Sequence, residues 1–147
     1  MADVVINHGS SESLWFKNFI KGEGKGSDYF LNFDEPFDTS KVVRPRTSDL
    51  LNPVETADGT KYIWCTFSKD QVDYNFSNPV VLFEFIQIII FYLSRGITVF
   101  RFDAVAFIWK KIGTSCINLE KTHEIVRLFR TLLTYLSPKA ILVTETN

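Results

Sequence analysis

Arg101, Asp103 and Glu145 are the residues of this 147-residue sequence whose types and spacing could do covalent chemistry. In VFRFDAVAFIWK (99–110) an arginine and an aspartate stand two positions apart, and Glu145 ends the run AILVTE (140–145). Successive side chains of a strand point to opposite faces. Val99, Arg101 and Asp103 therefore share one face, and Ile141, Val143 and Glu145 share one face of a neighbouring parallel strand. Both carboxyl groups then stand at carboxyl ends, on strands roughly 4.8 Å apart. Double displacement at an anomeric carbon asks for a nucleophilic carboxylate and an acid/base carboxyl about 5 to 5.5 Å apart. Arg101 would favour the ionised form of Asp103, while Glu145 keeps the proton it delivers to a leaving oxygen. The spacing equally permits a structural Arg101–Asp103 ion pair, with Glu145 an exposed acid at a helix start.

Other polar groups fall where they could serve such a centre. DVVINH (3–8) places Asp3, Val5 and Asn7 on one strand face with His8 at its mouth. That pattern offers polar contacts to a substrate, or a histidine with a purely structural role. DQVDYNF (70–76) is a second polar cluster, which also reads as a solvated loop.

The elements that must position these groups are legible in part. ADVVINH reads as a buried strand followed by a turn. From Ser10 to about Asn78 the pattern is irregular, rich in Gly, Ser, Pro and Asp, and only KYIWCTF (61–67) reads as a strand. Loops of that length are usually functional. Asn78-Pro79 is a helix start, and Gly96 lies just beyond the end of a helix reaching about Ser94. The apolar run VVLFEFIQIIIFYL (80–93) holds Glu84 and Gln87 and is shorter than the roughly 20 residues of a bilayer span, so it reads as a buried helix. ITVFRF (97–102) and AILVT (140–144) are strands by propensity. THEIVRLFRTLLTYL (122–136) has helical spacing. Strand, helix, strand, helix, strand is the order of a parallel sheet with crossover helices.

Composition bounds the function. With 46% hydrophobic and 22% charged residues and a net charge of -1, the chain can bury a core. Its basic residues form only short runs such as Lys110-Lys111, so the attraction that most nucleic-acid binders need is missing. No nucleic-acid or membrane partner is expected. Cys65 and Cys116 have no metal-ligand spacing and read as reduced thiols. The N-terminus carries no secretory signal pattern, which together with the thiols points to the cytoplasm.

Taken together the motifs resemble the ordered signature regions of the alpha-amylase superfamily of glycoside hydrolases and transglycosylases. DVVINH resembles the region at the end of barrel strand three, QVDYNF that of the domain inserted after it, FRFDAVAFIWK that of strand four and VTETN that of strand five. VVRPRTSDLL, YIWCTFSKDQVDYNF, DAVAFIWKKIGTSC and KTHEIVRLFR are most similar to the sucrose phosphorylase-like branch, which includes glucosylglycerate phosphorylases. The resemblance implies an α/β fold, a partial (β/α)8 TIM barrel of about strands three to five with an inserted irregular B domain. Residues 1–9 would be barrel strand three, 10–78 the insert, and 79–147 the stretch from barrel helix three to the end of strand five.

It implies Asp103 as nucleophile, Glu145 as acid/base and Arg101 as the cation orienting the nucleophile. His8 would bond the glucosyl unit, with Asp3 and Asn7 bracing the strand end. Arg46, in the RPR element, would meet phosphate through paired guanidinium donors, and Gln71 and Phe67 would line the acceptor side. The partners implied are a small-molecule α-glucoside and phosphate, the latter a co-substrate, with no cofactor and with a homodimer as one arrangement of the parent. Phe102, Val43 and INLEK depart from the branch's pattern and bear on the acceptor. A full barrel takes about 250 residues, so the chain is expected to be a piece of a longer enzyme. The third carboxylate would lie further along, and the piece alone would be inactive or poorly folded.

Overall fold

The computed structural model describes residues 1–145. In chain order the elements are β1 (Ala2–Val5), β2 (His8–Ser10), α1 (Leu14–Lys21), β3 (Asn32–Phe33), β4 (Leu51–Thr56), β5 (Gly59–Trp64), β6 (Gln71–Asp73), α2 (Pro79–Ser94), β7 (Val99–Asp103), α3 (Glu120–Leu136) and β8 (Ile141–Thr144). A short 3-10 turn, Val105–Phe107, follows β7.

The expected parallel sheet is present, in the order β1-β7-β8. Its crossover α2 forms as the end signals require: the Asn78 side chain accepts the Val80 N–H at 3.0 Å and Pro79 opens the first turn. Val81, Phe85 and Ile89 are buried, but Phe83 and Phe91 are 63% and 53% exposed, so the helix is buried along one stripe rather than all round. Continuous apolar sequence hides such a stripe from pattern reading. Helix α3 turns Ile125, Phe129 and Leu133 inward, and the Phe129 ring meets Phe102 edge-on at 5.1 Å.

Alternation along the sheet strands decides which face is free. Val4, Phe100 and Phe102 point into the core shared with α2 and α3. Asp3, Val5, Arg101, Asp103 and Val143 belong to the other face, where Val5 and Val143 are 42% and 44% exposed. No helix covers that face among the described residues. The side of the sheet that carries Arg101 and Asp103 is thus the open side.

Residues 10–78 are more regular than expected. They contain helix α1, the ribbon strands β2 and β6 paired antiparallel, and a second sheet in the order β3-β5-β4. Helix α1 had its signal: the Ser13 hydroxyl accepts the Phe16 N–H at 3.2 Å, and Phe16 and Phe19 bury one face. Strand β4 is masked in sequence by Pro53, which has no N–H for a ladder. It is tolerated because β4 is an edge strand. The β4–β5 turn places Gly59 at φ 96, a left-handed conformation that glycine adopts without strain. Cys65 and Cys116 are free and buried. No described helix is long and apolar enough to cross a membrane.

Candidate active site

The two strand-end carboxylates come together as alternation requires. Arg101 pairs with Val143 and Phe102 with Thr144 in the β7–β8 register, and the Glu145 N–H donates to the Phe102 carbonyl at 2.9 Å, carrying the ladder one step further. Asp103 and Glu145 therefore end adjacent parallel strands. Asp103 is followed by Ala104 at φ 56, a left-handed non-glycine residue that turns the chain sharply into the 3-10 turn. Asp103 itself is half-buried.

Arg101 is held differently from expectation. Its guanidinium forms a two-pronged pair with Asp3, Nε to Oδ1 at 2.9 Å and a terminal nitrogen to Oδ2 at 3.1 Å. Among the described residues it makes no ion pair with Asp103. The register explains this, since Asp3 lies directly opposite Arg101 across the β1–β7 ladder, whereas Asp103 is two residues further along the same strand, roughly 6.6 Å away. Asp3 is thus the partner of Arg101, and Arg101 stands one alternation step before Asp103 rather than contacting it.

His8 and Asn7 are buried, at 9% and 0% exposure. The His8 ring lies 5.0 Å from that of Phe67, which in turn meets Phe107 edge-on at 5.5 Å. Gln71 approaches His8 Nε2 at 3.0 Å from strand β6. Gly9 lets the two strands close: a Cβ there would come within 2.3 Å of the Tyr74 hydroxyl. Burial pushes the His8 imidazole below its ordinary range; Asp73 opposes this, Lys110 adds to it, and Asp103 opposes it.

Asn7 belongs to a buried ionic cluster that sequence reading missed. Asp73, 0% exposed, accepts from Asn7 Nδ2 at 3.0 Å, from the Thr66 N–H at 3.1 Å and from the Thr66 hydroxyl, and pairs with the Lys110 ammonium at 2.8 Å. Lys110 Nζ, on a side chain only 4% exposed, also donates to Asn7 Oδ1 at 2.7 Å. Burial pushes the Lys110 ammonium down while Asp73 pulls it back up. The available signal was weak: an aspartate between Val72 and Tyr74, and a lysine after an unbroken apolar stretch. The DQVDYNF cluster is not a solvated loop, for Val72, Asp73 and Tyr74 are all buried.

The two arginines of RPR separate. Arg44 is tied down, donating to the carbonyls of Thr66 and Cys65, each at 3.3 Å. Arg46 is exposed and makes no ion pair among the described residues. Asp103 and Glu145 end neighbouring strands, Arg101 pairs with Asp3 one alternation step back, and His8 meets Gln71 and Phe67. Arg46 is exposed on a loop whose Ser48 donates to the Phe67 carbonyl at 3.0 Å. The motif VTETN runs beyond Glu145, and its last two residues lie outside the described residues.

The sequence matches the family model described as alpha amylase, catalytic domain, over residues 1–147. Glucosylglycerate phosphorylase of Spirochaeta thermophila is 44% identical over 147 residues, which cover 100% of this chain and 25% of that protein. That of Allomeiothermus silvanus is 46% identical over 147 residues, covering 100% and 26%. The crystal structure of sucrose 6F-phosphate phosphorylase from Thermoanaerobacter thermosaccharolyticum superposes with a TM-score of 0.86 at 25% identity, covering 98% of this chain and 32% of that one. The chain spans about a quarter of the length of the curated relatives it matches. Parallel strands ending in Asp103 and Glu145, crossover helices on one face and a match along the whole sequence place this chain in the alpha-amylase catalytic-domain family, as an α/β part of its barrel.

Proposed function

We propose that these residues form the donor-sugar side of the active site of a retaining α-glucoside phosphorylase, working as one section of a longer catalytic barrel. Strands β1, β7 and β8 would be barrel strands three, four and five, with residues 10–78 as the inserted B domain. The observation that carries this is the β7–β8 register, which sets Asp103 and Glu145 side by side at carboxyl ends. The kinship with glucosylglycerate phosphorylases supports the phosphorolytic branch.

In this reading an Asp103 carboxylate oxygen attacks the anomeric carbon as the bond to the leaving oxygen breaks, and Glu145 gives that oxygen its proton. A glucosyl ester on Asp103 results. Glu145, now ionised, takes the proton of an incoming phosphate whose oxygen displaces Asp103, giving α-glucose 1-phosphate with net retention. His8 bonds a glucosyl hydroxyl, Arg101 braced by Asp3 supplies positive field beside the nucleophile, and Asn7 holds the strand end. Phe67 and Gln71 line the acceptor side and Arg46 receives phosphate. A third carboxylate and further sugar contacts would come from elsewhere in the longer chain. The donor is a glucosylglycerate-like or sucrose-like glucoside, phosphate is the co-substrate, no cofactor takes part, and the setting is cytoplasmic.

A second reading, in which water replaces phosphate, would leave the exposed Arg46 without a role in turnover. The test is an assay of the full-length protein containing these residues, with glucosylglycerate and sucrose as donors, with and without phosphate. Phosphate-dependent glucose 1-phosphate, lost in Asp103→Asn, supports phosphorolysis; free glucose regardless of phosphate moves the protein to the hydrolases. The 147-residue chain assayed alone is expected to be inactive.

A further inference from the structure

The loop that carries Arg46 is fastened at both ends to one short stretch of backbone. At its start Arg44 donates from Nε to the Thr66 carbonyl and from Nη2 to the Cys65 carbonyl, each at 3.3 Å. At its end the Ser48 hydroxyl donates to the Phe67 carbonyl at 3.0 Å, and the Cys65 N–H donates to the Leu50 carbonyl at 2.8 Å. The consecutive carbonyls of Cys65, Thr66 and Phe67 are thus held by Arg44 and Ser48 between them. The two anchors also meet, with Arg44 Nη2 at 3.5 Å from Ser48 Oγ. A hydroxyl has one proton, so that of Ser48 goes to Phe67 while its lone pairs face the guanidinium.

Between the anchors lie Pro45, Arg46 and Thr47, all exposed. Proline fixes its own φ and restricts the residue before it to extended backbone, so the chain can hinge little on the Arg44 side. On the other side the side-chain tie is the Ser48 hydroxyl. Arg46 makes no ion pair among the described residues. Its guanidinium therefore has solvent around it and a fixed base beneath it.

The Ser48 anchor lies beside the candidate site. Phe67, whose carbonyl Ser48 holds, sets its ring 5.0 Å from that of His8. Arg46 starts within about 7 Å of Ser48, since two residues of chain span no more. As a brace for the fold Ser48 contributes little, because it is exposed and water can replace its bond. What it sets is the place of the loop.

We propose that Ser48 is a positioning residue for the incoming phosphate, holding the Arg46 loop against the Phe67 carbonyl so that the guanidinium meets an oxyanion without first ordering its own backbone. The inference rests on the phosphorylase reading above, in which Arg46 receives phosphate. Its physical content is preorganisation: the loop is ordered on folding instead of on binding.

The test uses the full-length protein and inorganic phosphate, with Ser48→Ala, Ser48→Thr, Arg46→Ala and the pair Ser48→Ala with Arg46→Ala. Ser48→Ala should raise the KM for phosphate about 3- to 10-fold, as one ordering cost moves from folding to binding. The loss should be recovered at saturating phosphate, and the KM for the glucoside should not follow it. Ser48→Thr keeps the hydroxyl and should restore the phosphate KM to within about 2-fold of wild type. In the Arg46→Ala background Ser48→Ala should add less than about 2-fold, because it acts through Arg46. An unchanged phosphate KM in Ser48→Ala, full additivity in the pair, or an equal rise in both KM values overturns the proposal.

Calorimetric binding of inorganic phosphate to the same proteins separates this claim from the reading it rests on. A wild type that cleaves the glucoside with water, yet binds phosphate more weakly after Ser48→Ala, ends the phosphorylase reading and leaves the positioning role for an oxyanion standing. A wild type that forms glucose 1-phosphate while Ser48→Ala binds and uses phosphate as before keeps that reading and overturns the role of Ser48. A wild type that neither binds nor uses phosphate overturns both.

Discussion

Asp3 accepts from two donors on one edge of the Arg101 guanidinium across the β1–β7 ladder, at 2.9 and 3.1 Å, one alternation step before Asp103. Both side chains are about half exposed, so the pair contributes less than about 1 kcal/mol to stability. Its importance is geometric, for it fixes where a guanidinium stands beside Asp103, the proposed nucleophile. Asp3→Asn is expected to leave the urea midpoint nearly unchanged while lowering kcat of the full-length protein roughly 10- to 100-fold. A large loss of stability with intact turnover would show that the pair serves the fold instead.

The two arginines of RPR should separate in mutagenesis. Arg44 satisfies the carbonyls of Thr66 and Cys65, so Arg44→Ala is expected to cost about 1–2 kcal/mol in denaturant unfolding. Arg46→Ala, at an exposed site, should change stability by less than about 0.5 kcal/mol. If Arg46 meets phosphate, the same variant raises the KM for phosphate and leaves donor binding alone; an unchanged phosphate KM removes Arg46 from the site.

His8 gives stability a pH dependence of definite sign. Burial lowers its folded-state pKa from 6.5, so below that value the unfolded chain binds a proton that the folded chain refuses. The contribution of His8 is thus present above 6.5 and is lost as pH falls toward the lowered folded value. The slope approaches at most about 1.4 kcal/mol per pH unit. Denaturation curves between pH 7 and about 5.5 should steepen this loss in the wild type relative to His8→Gln. Equal slopes in the two proteins would show that His8 titrates normally.

Ala104 carries a conformational constraint just past Asp103. A left-handed alanine costs about 1–2 kcal/mol, which Ala104→Gly relieves, offset by the larger unfolded-state entropy of glycine, about 0.4–1 kcal/mol. The net stability change should be within about 1 kcal/mol. Ala104→Val, a β-branched residue forced into the same buried turn, should lose more than about 2 kcal/mol. Thermal unfolding of the two variants checks the order, and a tolerated valine would mean that the turn relaxes.

Local signals in the sequence located the sheet face and its two strand-end carboxylates. Alternation over VFRFD and ILVTE required Asp103 and Glu145 to end neighbouring strands, and Asn78-Pro79 marked the start of α2, because caps and periods act within a turn or two of chain. Strand β4 and its hairpin were hidden because Pro53 is permitted only by an edge position, which no local pattern encodes.

What the sequence by itself determined was therefore the order of elements, the strand-end carboxylates and the family. Only the tertiary structure decided that Arg101 turns to Asp3, that Arg44 is structural, and that Asp73, Lys110 and Asn7 meet in the interior. Lys110 and Asn7 are 103 positions apart, and either alone reads as a surface residue. A charge or an amide becomes tolerable in the interior only when folding supplies its partners at hydrogen-bond distance.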